Sequence, residues 1–186
     1  NEKIFKFLHL PVQSGNDDVL KQMHRSYSIN DFIEIVERVR KNLPNISLAT
    51  DVICGFPGED KRAFEDTLDL IRKVIPDIVN VSKFFPRPKT LAARMENVIS
   101  PVEMNRRSAI MSVAAKEAAF KRNKQWVHWT GEILVDELGK IPGSMIGRNP
   151  SYKPIVIRGS PNLLGKSIKV EVVNAFQTYL AAKIVE

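Results

Sequence analysis

Ala49-Thr50-Asp51-Val52-Ile53-Cys54-Gly55-Phe56-Pro57-Gly58-Glu59 is an apolar run that breaks into a turn rich in glycine and proline. From Ile46 to Ile53 it reads as a buried strand. Gly55 to Glu59 then lead into a helix with Phe64, Leu68 and Ile71 on one face before Pro76. The same unit recurs on both sides. Upstream, Ile4 to Leu10 is strand-like and turns at Pro11 to Gly15. Asn16 or Asp17 caps a short helix carrying Val19, Leu20 and Met23, and Ser28 caps a longer one with Phe32, Ile35, Val36 and Val39 at helical spacing, stopped by Pro44. Downstream, Asp77 to Phe85 forms a third strand that ends in Pro86-Arg87-Pro88. Strands alternating with amphipathic helices predict an α/β fold of three parallel βα units, in which ligands sit at the carboxyl ends of the strands. The loops that follow the three strands are expected to share one face.

Beyond residue 99 the pattern changes twice. Ser100-Pro101-Val102-Glu103 is a capping box with proline at the first helical position, opening a helical stretch to about Asn123. From Trp126 onward, short β-prone runs (Ile133 to Val135, Ile155 to Ile157, Ile168 to Val173, Thr178 to Ile184) are separated by glycine and proline, as in a small all-β barrel. The expected domains are therefore 1–99, a connecting helix 100–126, and a barrel 127–186. Trp126 and Trp129 are expected to pack where the domains join.

Composition narrows the function classes. The chain is 44% hydrophobic and 26% charged, as in a folded globular protein. Every stretch of eighteen residues carries a charge, and Asn1-Glu2-Lys3-Ile4 lacks the features of a signal peptide, so no membrane partner and a cytoplasmic location are expected. Cys54 is the single cysteine. It excludes an internal disulfide and a protein-held iron-sulfur cluster, which takes several thiolates. No metal site has ligands at useful spacing, and His9, beside Leu8 and Leu10, reads as a hydrogen-bonded core histidine. The net charge of +7 suggests a polyanion partner through neutralisation of phosphates. Its excess is spread along the chain, which fits a solvated basic surface as well as a dedicated groove.

Four ordered blocks carry a resemblance. His9-Leu10-Pro11-Val12-Gln13-Ser14-Gly15, then Val19-Leu20, Met23, Arg25 and Tyr27, then Ala49 to Glu59, then Phe85-Pro86-Arg87-Pro88 resemble the methylthiotransferase family of radical S-adenosylmethionine enzymes. The tail from about Val127 resembles a TRAM domain, a small OB-like β-barrel that binds RNA in this family. The resemblance implies the later half of a TIM-like radical SAM barrel followed by that TRAM barrel. Thr50 to Glu59 and Asn149-Pro150-Ser151-Tyr152-Lys153-Pro154 look most like the archaeal and eukaryotic branch, which adds a methylthio group to carbon 2 of N6-threonylcarbamoyladenosine beside the anticodon of tRNA. Sister branches act on isopentenyladenosine in tRNA or on an aspartate of a ribosomal protein. One departure concerns the loop after the third strand, where the family's usual Pro-Arg-Pro-Gly-Thr-Pro has Lys89 and Leu91 in place of the glycine and the last proline.

The resemblance further implies S-adenosylmethionine and two 4Fe-4S clusters in the parent protein, the cluster cysteines lying outside this chain. An electron donor and the anticodon stem-loop of tRNA are the implied partners. The chain by itself is expected to be inactive, with no catalytic residue of its own, and the open half barrel to self-associate. An RNA-binding module without catalysis and a different radical enzyme with a TRAM-like tail are the rival readings.

For the cofactor, Gln13, Ser14 and Arg25 offer an amide, a hydroxyl and a guanidinium to a bound carboxylate and ribose. Asp51, Ile53 and Gly55 offer a carboxylate for ribose, an apolar wall for adenine and close backbone approach. Phe85 is a candidate against adenine, and Arg87 against RNA. Arg148, Tyr152, Lys153 and Arg158 interleave an aromatic with cations, as RNA-binding surfaces do. Simpler readings stay open: Gln13-Ser14-Gly15 as a plain turn, Arg25 as a surface cation paired with Asp17 or Asp18, Asp51 as a satisfied core carboxylate, Phe84 and Phe85 as core aromatics, Cys54 as a small buried residue.

Overall fold

The computed structural model describes residues 4–185, and these divide into two compact units. One unit holds His9–Pro44 and Leu48–Ala118. The other holds the described residues up to Leu8, Asn45–Ser47 and those from Ala119 on.

The α/β unit is built around a sheet of β1 (Phe7–His9), β2 (Ser47–Cys54) and β3 (Ile78–Lys83), with β2 in the centre. β2 and β3 run parallel, and Gln13 adds a parallel bridge to Val52 on the other side. β2 lies one residue further on than expected, and β1 and β3 are shorter. β1 is three residues rather than seven: the Lys6 N–H goes to the Pro150 carbonyl, while its own carbonyl still accepts from the Ser47 N–H. Three strands make an open sheet, whereas a closed barrel of this kind takes eight. The barrel expectation thus reduces, among the described residues, to a parallel sheet with helices.

The helices form where capping and spacing coincide. Asn16 caps α1 (Asp17–Gln22), its side chain accepting from the N–H groups of Asp18 and Val19. Ser28 and Asp31 make a reciprocal box at the start of α2 (Ile29–Asn42), and Asp60 caps α3 (Lys61–Val74). α3 buries Phe64, Leu68, Leu70, Ile71 and Val74, each contributing about 1.5–3 kcal/mol. Arg40 of α2 reaches the carbonyls of Val74 and Ile75, satisfying the end of α3. α4 (Pro101–Lys124) starts at Ser100, which accepts from the Glu103 N–H, but only half of the expected box forms. The Glu103 carboxylate turns to Arg106 and Arg107 instead. α4 is shared between the units, Met111, Ala114, Ala115 and Ala118 being buried in its middle.

In the second unit β4 (Thr130–Leu138), β5 (Ser144–Arg148), β6 (Pro154–Arg158), β7 (Ser167–Ala175) and β8 (Leu180–Ile184) close into a barrel in the order β4-β5-β6-β8-β7. Alternate residues Ile133, Val135, Met145, Ile155, Ile157, Val170, Val172 and Leu180 fill it. β5 escaped the sequence reading because Gly143 and Gly147 look like breakers. Gly147 is instead required for close packing, since a Cβ there would sit 2.9 Å from the Leu134 carbonyl oxygen. Trp126 and Trp129, expected where the domains join, pack edge to face in the barrel core.

Candidate functional site

Alternation along β2 sorts its residues onto two faces. Thr50, Val52 and Cys54 are fully buried, while Asp51 and Ile53 stand on the opposite, more open face. Register places Asn80 of β3 beside Asp51. Asp51 Oδ1 accepts from Asn80 Nδ2 at 2.8 Å and lies 2.8 Å from His9 Nε2, so a polar row crosses the three strands. Both contacts fall on one oxygen. Asp51 Oδ2 has no protein partner among the described residues. His9 is therefore no core histidine: it is exposed and orients a carboxylate. Only strand register could have revealed this pairing.

The turn after β1 lies against the same stretch of β2. Gln13 has φ +69°, a conformation costing a non-glycine residue about 1–3 kcal/mol, and donates to the Asp51 carbonyl while accepting from the Ile53 N–H. Its side-chain amide makes no hydrogen bond within the described residues. Ser14 is fully buried, with its hydroxyl 3.5 Å from that of Thr67 on α3. Gly15 donates to the same hydroxyl at 2.8 Å, and a Cβ on it would collide with the Thr67 Cα at 2.4 Å. The glycine is there for contact with α3 as well as for the turn. Arg25 is exposed and ion-paired with neither Asp17 nor Asp18; Asp17 instead accepts from the Ile29 N–H.

The turn after β2 is fixed by buried charge. Gly55 has φ +82° and no room for a side chain, the Met104 Cγ lying 2.6 Å from where a Cβ would be. Its N–H donates to Glu59 Oε2, which also accepts from Arg107 Nη1 at 2.9 Å. Both side chains are almost completely buried. Arg107 also donates to the Glu59 carbonyl and to Glu103, and covers the Phe64 ring at 5.4 Å. Burial raises the Glu59 carboxyl above its ordinary range, opposed by the Gly55 N–H and by Arg107. The network was missed in the sequence, although a signal exists: Arg107 shares the apolar stripe of Met104, Met111, Ala114 and Ala118 on α4. An arginine on such a stripe calls for a buried partner. Cys54 is buried as expected, and burial with the nearby Glu59 charge pushes its thiol up to about 12.

After β3 the two phenylalanines part. Phe84 packs edge to face on Phe56, whereas Phe85 is 79% exposed and Arg87 is exposed beside it. Lys89 takes φ +68°, so the loop keeps the left-handed turn that a glycine would make easy.

The four nominated RNA contacts in the barrel fare unequally. Lys153 is 5% exposed and its ammonium donates to Asn123 Oδ1 at 2.7 Å, which corrects its reading as a phosphate contact: the charge is held inside. Arg148 is bound to Asp136 and Glu137 and lies over the Tyr152 ring. Tyr152, at φ +60°, also meets Phe5 and Phe7, with centroids at 5.0 and 5.5 Å. Arg158 is exposed and has no ion-pair partner among the described residues.

Comparison with known proteins bears on both units. Residues 2–71 match the family model described as Radical SAM superfamily, and residues 129–185 that of the TRAM domain. A protein of Pyrococcus abyssi (strain GE5 / Orsay) named probable threonylcarbamoyladenosine tRNA methylthiotransferase is 38% identical over 99% of the chain and 42% of its own length. One of the same name from Methanothermobacter thermautotrophicus is 39% identical over 98% of the chain and 42% of its own length. The chain thus pairs a segment that matches the radical SAM superfamily with one that matches the TRAM domain. A tRNA-2-methylthio-N(6)-dimethylallyladenosine synthase of Caldicellulosiruptor saccharolyticus is 34% identical over 99% of the chain and 39% of its own length. The chain thus spans about two fifths of the length of these curated relatives. The radical SAM segment takes in β1, α1, α2, β2 and most of α3, including His9, Gln13, Asp51 and Gly55. The TRAM segment takes in all five barrel strands.

Proposed function

We propose that this chain provides the cofactor-facing sheet and the RNA-binding barrel of a tRNA methylthiotransferase that acts on carbon 2 of N6-threonylcarbamoyladenosine beside the anticodon. The observation that carries this reading is that relatives named for that reaction align across both units, with identities of 35–39%. Those named for dimethylallyladenosine align at 31–37%.

The groups left free on the sheet fit S-adenosylmethionine. Asp51 Oδ2 would accept from a ribose hydroxyl, its geometry fixed by His9 and Asn80; the Gln13 amide and the Arg25 guanidinium would hold the amino-acid end. Ile53 and the close-approach turn at Gly55 would flank adenine, and Phe85 would add an aromatic face. Ser14, buried against Thr67, would act by holding the Gln13 turn. The sheet itself would be an arc of a TIM-like barrel, closed by strands from the rest of the parent protein. When bound to a reduced cluster, S-adenosylmethionine supplies the radical and the methyl group in enzymes of this type. The residues here do not fit a cluster: Cys54 is the single cysteine, and its buried thiol stays protonated far above neutral pH. Both 4Fe-4S clusters of the parent, and the docking of its electron donor, would then rest on residues outside these 186.

Nucleoside mass spectrometry of tRNA from cells lacking the gene tests the reading. Loss of 2-methylthio-N6-threonylcarbamoyladenosine, restored by the intact gene and not by its Asp51→Ala form, is the expected result. Loss of the isopentenyladenosine derivative instead would reassign the substrate.

A further inference from the structure

We propose that the outer wall of β5, β6 and β8 is the RNA face of the barrel and takes a single-stranded segment with unstacked bases. This rests on the tRNA reading above and locates the contact. Two of the cations the sequence nominated are engaged internally, Lys153 with Asn123 and Arg148 with Asp136 and Glu137. The binding surface has to be sought among charges that remain available.

Alternation supplies one such wall. Met145, Ile155, Ile157 and Leu180 point into the barrel, so Ser144 and Ile146 of β5, Val156 and Arg158 of β6 and Ala181 of β8 point out. Val156 and Ala181 are paired neighbours, and the small Ala181 beside the larger Val156 leaves a furrow. Two adjoining grooves run over this wall and share Ile141, Ser144 and Val156. Their floor is apolar. Their charged lining residues are Lys140, Arg148, Arg158 and Lys183, without a carboxylate among them. Lys183 is bound to Glu171, but Lys140 and Arg158 have no ion-pair partner among the described residues. Tyr179, stacked on Phe176 at 4.5 Å and nearly parallel, lines one of the two grooves.

Free cations above an apolar floor with a stacked aromatic fit a flexible strand whose bases lie down and whose phosphates face the rim. A regular duplex keeps its bases stacked inside and would leave the floor uncovered. A polyglutamate-like peptide would satisfy the cations but has no aromatic ring to stack on Tyr179.

Fluorescence anisotropy on the full chain with a short labelled single-stranded oligoribonucleotide, over a range of salt, tests the assignment. Lys140→Ala with Arg158→Ala should lower the slope of log affinity against log salt by about 1.4, two single-strand phosphate contacts being lost. Tyr179→Leu should weaken binding roughly tenfold and leave the slope unchanged. Arg158→Lys should keep the slope, and Lys166→Ala, outside both grooves, should change nothing. Circular dichroism checks that each variant is folded, and the surface position of Lys140 and Arg158 makes the double variant the safest to read. If that folded variant binds as the parent does, the face is wrong and the tRNA reading stands. If the unaltered chain shows no salt-dependent RNA binding, both fall. Equal affinity for a duplex or for a polyglutamate peptide would overturn the single-strand assignment.

Discussion

The sheet around Asp51 and the turn between β5 and β6 both present polar side chains of the kind that bind ligands, yet they use those residues in opposite ways. Around Asp51 the structure spends two neighbours, His9 and Asn80, on one carboxylate oxygen and leaves the other free. Around Tyr152 it spends the polar groups on itself, Lys153 on Asn123 and Arg148 on two carboxylates. A polar side chain available to a ligand is one that its surroundings orient without saturating. A saturated one is architecture.

The strongest way to break this contrast is at the buried charge that shapes the Gly55 turn. Arg107→Met leaves Glu59 buried without its counter-ion and should lower stability in urea unfolding by about 3–5 kcal/mol. A loss under 1 kcal/mol would mean that the turn does not depend on the pair. Next in size, Lys153→Met should cost about 1–3 kcal/mol by stranding the Asn123 oxygen, while the salt slope of RNA binding stays as it was. A slope that falls with this substitution would return Lys153 to the surface.

Asp51→Asn inverts the pattern. It should alter stability by no more than about 0.5 kcal/mol, because Asp51 lies on the open face, yet reduce cofactor binding. The smallest effect concerns acid. Hydrogen bonds from Arg106 and Arg107 hold the Glu103 carboxyl down at about 2, below its ordinary 4.5. Its folded value is depressed, so its contribution to stability is complete above 4.5 and is lost as the pH falls toward 2. Glu103→Gln should flatten that limb of an acid titration followed by circular dichroism. Glu59, raised by burial, works in the opposite sense at higher pH, where the folded state takes up a proton before the unfolded one does.

What the sequence disclosed follows the range of the forces involved. Strand β2, the Ser28 cap and the helical faces of Phe64, Leu68 and Ile71 depend on residues within one or two turns of each other and could be read directly, whereas the first cap stayed open between Asn16 and Asp17. β5 was hidden because Gly147 answers to Ile133 and Leu134 on another strand. His9 was misread because its partner Asp51 lies 42 residues away, and Lys153 because Asn123 lies 30 away. The candidate cofactor residues were found by their motif. Which of their atoms remain free was settled by strand register, which the motif does not encode.

The most direct test of the site is a titration of the full chain with S-adenosylmethionine followed by amide chemical shifts. Saturable shifts are expected at Gln13, at Asp51 to Gly55 and at Asn80, reduced by Asp51→Asn, with the barrel strands unmoved. Shifts confined to the barrel, or none at cofactor concentrations in the millimolar range, would contradict the assignment of the sheet as the cofactor-facing surface.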